Sequence, residues 1–273
     1  MIEKMPSGNP TDTQEESRKA KRLEAEASFQ DGRVLNEGGE ARAKFLYLAA
    51  GAKGAYDQAL NALRGATVVI VGCSTGGVRQ VARMGNRTIG VDISSAAIDH
   101  QNRRIQEEGL QHLASAHLMD AEDLDLPPAS VDVIACSGVL HHLDIEAACR
   151  SWSKVLKDDG RVLMVEPFAW NPMIALYRWV TPSMRTRDEH PLVPGDFRTL
   201  RKYFRHVEFD AYAMTALFSL VFVYGPNLFG MRERSLRLLT SVDRILFKIF
   251  PFVKFFAWTS FIRCDGVRKT GLP

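Results

Sequence analysis

The side chains that could do chemistry sit where apolar runs end. A Gly-rich turn, Val71-Gly72-Cys73-Ser74-Thr75-Gly76-Gly77, closes the first such run. Small residues there let the backbone turn sharply and approach a ligand, and a following helix would offer unpaired N–H donors. The same turn could also be purely structural. Asp92 ends the next run, twenty residues after Gly72, in Ile89-Gly90-Val91-Asp92-Ile93. A carboxylate at that place can accept hydrogen bonds from both ribose hydroxyls of an adenosine, in a nicotinamide dinucleotide as well as in other cofactors. Asp120 and Glu122 follow in Met119-Asp120-Ala121-Glu122. His141 and His142 follow the run that begins at Val131, and His190 sits in Arg185-Thr186-Arg187-Asp188-Glu189-His190-Pro191. Imidazole titrates near neutrality, so His142 or His190 could take a proton from an acceptor. Both could instead hold loops, the second within a clamp in which Asp188 or Glu189 pairs Arg185 or Arg187.

These groups need a scaffold that lines up strand ends. A short β-branched run over Ala66–Val71 and further strand-like segments over Arg87–Val91, Ser115–Met119, Val131–Cys136 and Arg161–Val165 alternate with helical patterns over Ala96–Glu108 and Ile145–Leu156. That alternation predicts a parallel, doubly wound sheet, with the last of these strands entered through a turn at Asp158-Asp159-Gly160. Right-handed crossovers would then set the strand C-terminal ends along one ligand-binding edge. Residues 1–20 are expected to be a disordered tail or frayed helix start, and 21–64 helices interrupted near Gly38-Gly39 and at Gly51 and Gly54. Residues 65–166 form the core and 167–273 an acceptor-binding and lid region. That last region should contain helices over Asn171–Val180, Pro194–Phe204 and Glu233–Phe250. It should also hold a strand beginning at Val207 that runs into an apolar loop, and a final strand over Ala257–Cys264.

Taken together, the Gly-rich turn, Asp92, the Asp120 segment and Ser137-Gly138-Val139-Leu140-His141-His142-Leu143 resemble the class I S-adenosylmethionine-dependent methyltransferases. The likeness is to the bacterial small-molecule group with a VLHHL segment, and it covers about Gly65 to Glu166. A further segment, Thr181-Pro182 through Arg185-Thr186 to Asp188-Glu189-His190-Pro191-Leu192, is similar to one in related members. The resemblance implies a Rossmann-like, doubly wound seven-stranded sheet and S-adenosylmethionine as cofactor, with S-adenosylhomocysteine as product. Gly72, Cys73, Ser74 and Gly76 would line the methionine and ribose, Asp92 would bind the ribose hydroxyls and Ile93 would face the adenine. Asp120 would reach the adenine amino group, helped by the backbone of Ala121 and Glu122, and Ser137 and Gly138 would face the sulfonium. The family usually has Gly at the position of Ser74 and an acid at that of Ile70. Loss of that acid removes one charged hydrogen bond, roughly 1–3 kcal/mol.

The rest of the composition narrows the partners. The chain has 273 residues, 46% hydrophobic and 25% charged, with net charge +3, too weakly basic to argue for nucleic acid. Cys73, Cys136, Cys149 and Cys264 lack metal-ligand or disulfide-framework spacing, so no metal is expected and a reducing, cytoplasmic setting is. The polar N-terminus has no apolar leader-like segment. Phe168, Trp170, Met173, Tyr177, Trp179, Met214, Phe218, Phe222 and Tyr224 could line a dry acceptor pocket or pack extra helices onto the sheet. Residues 231–258 combine a basic face with an apolar one formed by Leu239, Val242, Leu246 and Ile249. That segment could lie peripherally on a membrane or grip a lipid-like anion, or pack by its apolar face alone. The expected function is methyl transfer to a small, apolar or lipid-like or secondary-metabolite acceptor. The alternatives are a catalytically impaired methyltransferase-like scaffold and an NAD-dependent oxidoreductase. The oligomeric state is unspecified.

Overall fold

The computed structural model describes residues 10–35, 40–75, 77–181, 189–219 and 231–268. Helices α1 (Pro10–Leu35) and α2 (Glu40–Asn61) precede β1 (Thr67–Val71), α3 (Val78–Arg83), β2 (Arg87–Asp92), α4 (Ser95–Glu107), β3 (Ala114–Leu118) and β4 (Val131–Ser137). Then come α5 (Ile145–Val155), β5 (Leu156–Pro167), α6 (Pro172–Val180), α7 (Asp196–Tyr203), β6 (Phe204–Tyr212), α8 (Met231–Ile249) and β7 (Thr259–Val267). The seven strands form one sheet in the order β3-β2-β1-β4-β5-β7-β6.

Alternation along β1 explains how that sheet is buried on both faces. Val69 and Val71 join Ile134, Trp152 and Met164 on one side, while Val68 and Ile70 join Val133, Ala135, Leu163 and α2's Tyr56 and Leu60 on the other. On α5, Ile145, Ala148, Cys149, Trp152 and Val155 are buried at helical spacing, and Asp144 caps the helix by accepting from Ala147 N at 2.9 Å. Ser94 caps α4 in the same way, from Ala97 N at 3.0 Å. All four cysteines are free and buried.

Several expectations are corrected. Residues 10–20 are helical, the helix start rather than the disordered tail of the two readings offered for 1–20; residues 1–9 lie outside the described set. Helix α2 runs unbroken through Gly51 and Gly54. Gly51 is required by proximity, because a Cβ there would stand 2.6 Å from the Tyr212 ring. Gly38-Gly39 fall outside the described residues. β5 begins at Leu156, five residues before the expected start, so Asp158-Asp159-Gly160 is strand, with a register irregularity against β4 between Val131 and Val133. The five alternating strands pair in parallel as expected, and β7, whose direction the pattern does not give, runs antiparallel to both β5 and β6, so the seven-stranded sheet is mixed. β6 starts at Phe204 and ends at Tyr212, and a 3-10 turn over Thr215–Ser219 follows. No helix among the described residues is long and apolar enough to cross a membrane.

Candidate functional site

Past the C-terminal ends of β1, β2, β4 and β5 the chain exposes or fixes the groups singled out above. Gly72 has φ +70°, and a Cβ on it would meet Val139 Cγ2 at 2.4 Å. A left-handed backbone and that close approach together demand glycine. Cys73 is fully buried, and its carbonyl accepts from Gln101 Nε2 at 2.8 Å. The 3-10 turn Cys73–Thr75 carries Ser74; Gly76 lies outside the described residues.

Asp92 leaves β2 directly beside that turn. Its Oδ2 accepts from Ser74 N at 3.1 Å and its Oδ1 from Ser94 N at 3.0 Å. Burial pushes its carboxyl above the usual range; the Ser94, Ser74 and Ile93 backbone N–H groups oppose this, and nearby Asp31 adds to the rise. Ile93 is half-buried. Beyond β3, Asp120 Oδ1 accepts from Glu122 N at 2.8 Å, Ala121 O accepts from Trp152 Nε1 at 2.9 Å, and buried Glu122 accepts from Asp144 N at 2.8 Å.

The β4 and β5 ends are joined by Glu166, fully buried at the end of β5. Its Oε1 accepts from Val139 N at 3.0 Å and Leu140 N at 2.8 Å, and its Oε2 lies 2.6 Å from His141 Nδ1. Burial would raise the Glu166 carboxyl, but His141 and the two amides hold it below the usual glutamate range. Ser137 is half-buried and Gly138 exposed, with φ +69° and its N–H bonded to Val165 O at 2.8 Å.

His142 stacks near His141, ring centroids 4.2 Å apart. Its buried Nδ1 makes no hydrogen bond among the described residues, and Glu26 Oε2 stands 3.4 Å away. Burial would lower the His142 pKa; Glu26, with Glu189 and Glu166 behind it, outweighs burial and raises it. His190 is exposed, and its backbone N–H donates to His141 O at 2.9 Å, so the structure brings its backbone, rather than its ring, to the histidine pair. Glu189 pairs with Arg178 of α6, which the sequence reading did not name; Arg185, Arg187 and Asp188 lie outside the described residues. His141, His142 and Glu189 each present a ligand-type atom within 4.8 Å of the others, with Glu166, Glu26 and Arg178 respectively standing beside them as partners.

Helix α1 lies over this edge. Lys19 pairs with Asp120 at 2.8 Å and Glu122 at 3.5 Å, Arg22 pairs with Glu122, and Ser94 Oγ donates to Asp31. Sequence reasoning missed Glu26, Lys19 and Arg22, because only the fold brings residues 19–31 to the strand ends. It missed Glu166 although a signal existed: an acid closing the apolar run Val162-Leu163-Met164-Val165, as Asp92 closes β2.

The aromatic residues expected to line an acceptor pocket divide. Phe168 is core, packed edge-on to Phe209 and beside Phe197 and Phe255. Trp170, Trp179 and Phe218 are exposed, and Met173 and Met214 half-buried. Phe222 and Tyr224 lie outside the described residues, as does the Tyr177 side chain.

Residues 69–164 match the model of a family described as a methyltransferase domain. An uncharacterized methyltransferase, YcgJ of Bacillus subtilis (strain 168), is 35% identical over 82 residues, 30% of this chain and 32% of its own. The chain thus aligns with about a third of that relative's length. The crystal structure of YcgJ superposes with a TM-score of 0.51 at 18% identity, over 81% of this chain and all of that one. Geranyl diphosphate C-methyltransferase of Streptomyces coelicolor A3(2), solved with Mg2+, geranyl-S-thiolodiphosphate and S-adenosylhomocysteine, superposes at 0.54 with 16% identity, over 80% of this chain and 76% of that one. The [4+2]-cyclase SpnF superposes at 0.52 with 16% identity, over 77% of this chain and 81% of that one. At such identities the likeness is one of fold.

Proposed function

We propose that the chain transfers a methyl group from S-adenosylmethionine to a small, apolar or lipid-like acceptor, a reading supported by the match of residues 69–164 to the model of a methyltransferase domain and by their resemblance to the class I S-adenosylmethionine-dependent kind. The observation that carries this reading is the meeting of the Gly72–Ser74 turn and Asp92 at the point where the sheet order reverses between β1 and β4. Open α/β sheets bind ligands in the crevice at such a point. Gly72, Cys73, Ser74 and Gly76 would hold the methionine and ribose, Asp92 the ribose hydroxyls, Ile93 and Asp120–Glu122 the adenine, and Ser137 and Gly138 the reacting side. The sulfonium of the bound cofactor supplies the electrophilic methyl group.

The protein's own part is to bind, to exclude water and to move a proton. His142 takes the acceptor's proton in this reading, and Glu26 and Glu166 set the charge around it. His141, held by Glu166, keeps the loop after β4 in place. His190 is the second candidate base, and its exposure suits it to an acceptor arriving from outside the core. Where the family carries an acid and this chain has Ile70, Glu26 and Asp31 of α1 bring carboxylates to the same edge. Geranyl diphosphate as the substrate of one structural relative supports an apolar acceptor.

A second reading, a methyltransferase-like binding protein without catalysis, draws on Ile70 and on the Lys19–Asp120 pair, which engages a carboxylate assigned to the adenine. Calorimetric titration with S-adenosylmethionine, S-adenosylhomocysteine and NAD, followed by transfer of a radiolabelled methyl group to isoprenoid and lipid extracts, separates the two. Binding without transfer, or no binding, sinks the enzyme reading. NAD binding alone points to an oxidoreductase.

A further inference from the structure

Helix α8 carries two apolar faces, and a buried carboxylate decides which one turns inward. Asp243 is 3% exposed; its oxygens accept from Met214 N at 3.0 Å, Thr215 N at 2.7 Å and Thr215 Oγ1 at 2.6 Å. That bonding fixes the rotation of the helix. Leu236, Leu239 and Phe247, three or four residues apart from Asp243 or one turn further, share its side and pack inward. The inward face is therefore turned away from the centre of the one expected from Leu239, Val242, Leu246 and Ile249, because Asp243 must point at the 214–216 amides: Leu239 packs inward, Val242 and Leu246 are half-buried and Ile249 is exposed.

The opposite side is apolar too. Leu238, Val242, Ile245 and Ile249 recur at helical spacing, and Leu238, Ile245 and Ile249 are 65%, 58% and 60% exposed. Phe250 and Phe252, 47% and 65% exposed with rings 6.2 Å apart, prolong the stripe beyond the helix end. Arg234, Arg237, Arg244 and Lys248 stand exposed along one flank of it. The acids of the helix are Glu233 in its first turn and the buried Asp243.

We propose that α8 and the Phe250–Phe252 corner seat this protein on an anionic lipid surface, with Leu238, Ile245, Ile249, Phe250 and Phe252 entering the headgroup boundary. An exposed apolar stripe bordered by cations is the pattern of a helix lying in a membrane interface. Charge decides the occupant: acidic headgroups attract the four cations, whereas a second copy related by a two-fold axis would set four cations against four. The inference stands apart from the methyl-transfer reading, since it uses no residue of that site.

The test is co-sedimentation of the full chain with vesicles of phosphatidylcholine alone and of phosphatidylcholine with phosphatidylglycerol. The expected result is binding to the anionic vesicles that weakens with added salt, and at least tenfold less binding to the neutral ones. Ile245→Glu combined with Ile249→Glu should abolish binding. Arg237→Gln with Arg244→Gln should weaken binding to anionic vesicles several-fold and flatten its salt dependence. Circular dichroism and the melting temperature of each variant confirm folding, which substitution of exposed side chains should leave intact. No binding at low salt overturns the proposal, as does equal binding to both vesicle types. Conversion of a dimer to a monomer by Ile245→Glu in sedimentation equilibrium would assign the face to a second copy and overturn it as well.

Discussion

His141 Nδ1 lies 2.6 Å from Glu166 Oε2, and this bond ties the loop after β4 to the end of β5 in a space closed to water. With a proton fixed on Nδ1 by the carboxylate, the ring orientation of His141 is set, and the neighbouring His142 ring is stacked in place by it. The same carboxylate anchors the Val139 and Leu140 amides, so one side chain organises the backbone on which both histidines stand.

Glu166→Ala should therefore destabilise the fold by about 2 kcal/mol or more, since His141 Nδ1 and the Val139 and Leu140 amides lose their buried acceptor. Urea denaturation at neutral pH measures it. A loss under about 1 kcal/mol would refute the anchoring role. The depressed Glu166 pKa gives a sign as well: its stabilisation is present above the ordinary glutamate value of about 4.3 and fades as pH falls through the lower folded-state value.

His142 has the opposite linkage. Its raised pKa means that its contribution to stability is complete below the ordinary histidine value of about 6.5 and is lost as pH rises through the folded value. As a base, the neutral ring becomes available over that same rise, so turnover should climb on the alkaline side of about 6.5. Glu26→Gln should shift the climb to lower pH. His142→Ala should cut turnover by about 10²–10⁴-fold while sparing cofactor affinity; full activity in that variant would remove His142 from the chemistry.

Asp92→Ala removes the carboxylate expected at the ribose. Loss of a hydrogen bond to a charged group, about 1.5–3 kcal/mol, corresponds to roughly 10- to 100-fold weaker S-adenosylmethionine binding by calorimetry. Unchanged affinity would move the ribose elsewhere on the edge.

Asp243→Ala leaves the Met214 and Thr215 amides without their acceptor. We expect a loss of about 2 kcal/mol or more, read as a lower melting temperature. A wild-type melting curve would show that the turn over Thr215–Ser219 does not depend on this cap.

The sheet was legible because its central strands are short β-branched runs, and β1, β2, β3 and β4 all begin and end within about one residue of expectation. Asp92 and Asp120 were legible because each closes such a run. Glu26, Lys19 and Arg22 were not, since a helix's polar face looks solvated until its docking partner is known. Asp243 was not legible for the same reason. Gly51 looked like a helix breaker, and its purpose became visible with Tyr212 beside it. The antiparallel direction of β7 leaves no mark on its side-chain pattern, because a strand buried on both faces reads alike in either sense.

β7 also has a consequence for how the chain is made. It lies between β5 and β6, so β6 takes its ladder partners from a strand that follows it by dozens of residues. At about 5–20 residues per second of synthesis, β6 leaves the ribosome seconds before anything can pair with it. Through that interval both its edges are open, where the finished sheet leaves only one, and open edges are of the kind that recruits other chains. Substitutions that delay the insertion of residues 259–267 will therefore be felt first as aggregation during expression, before any change in the finished molecule's resistance to unfolding.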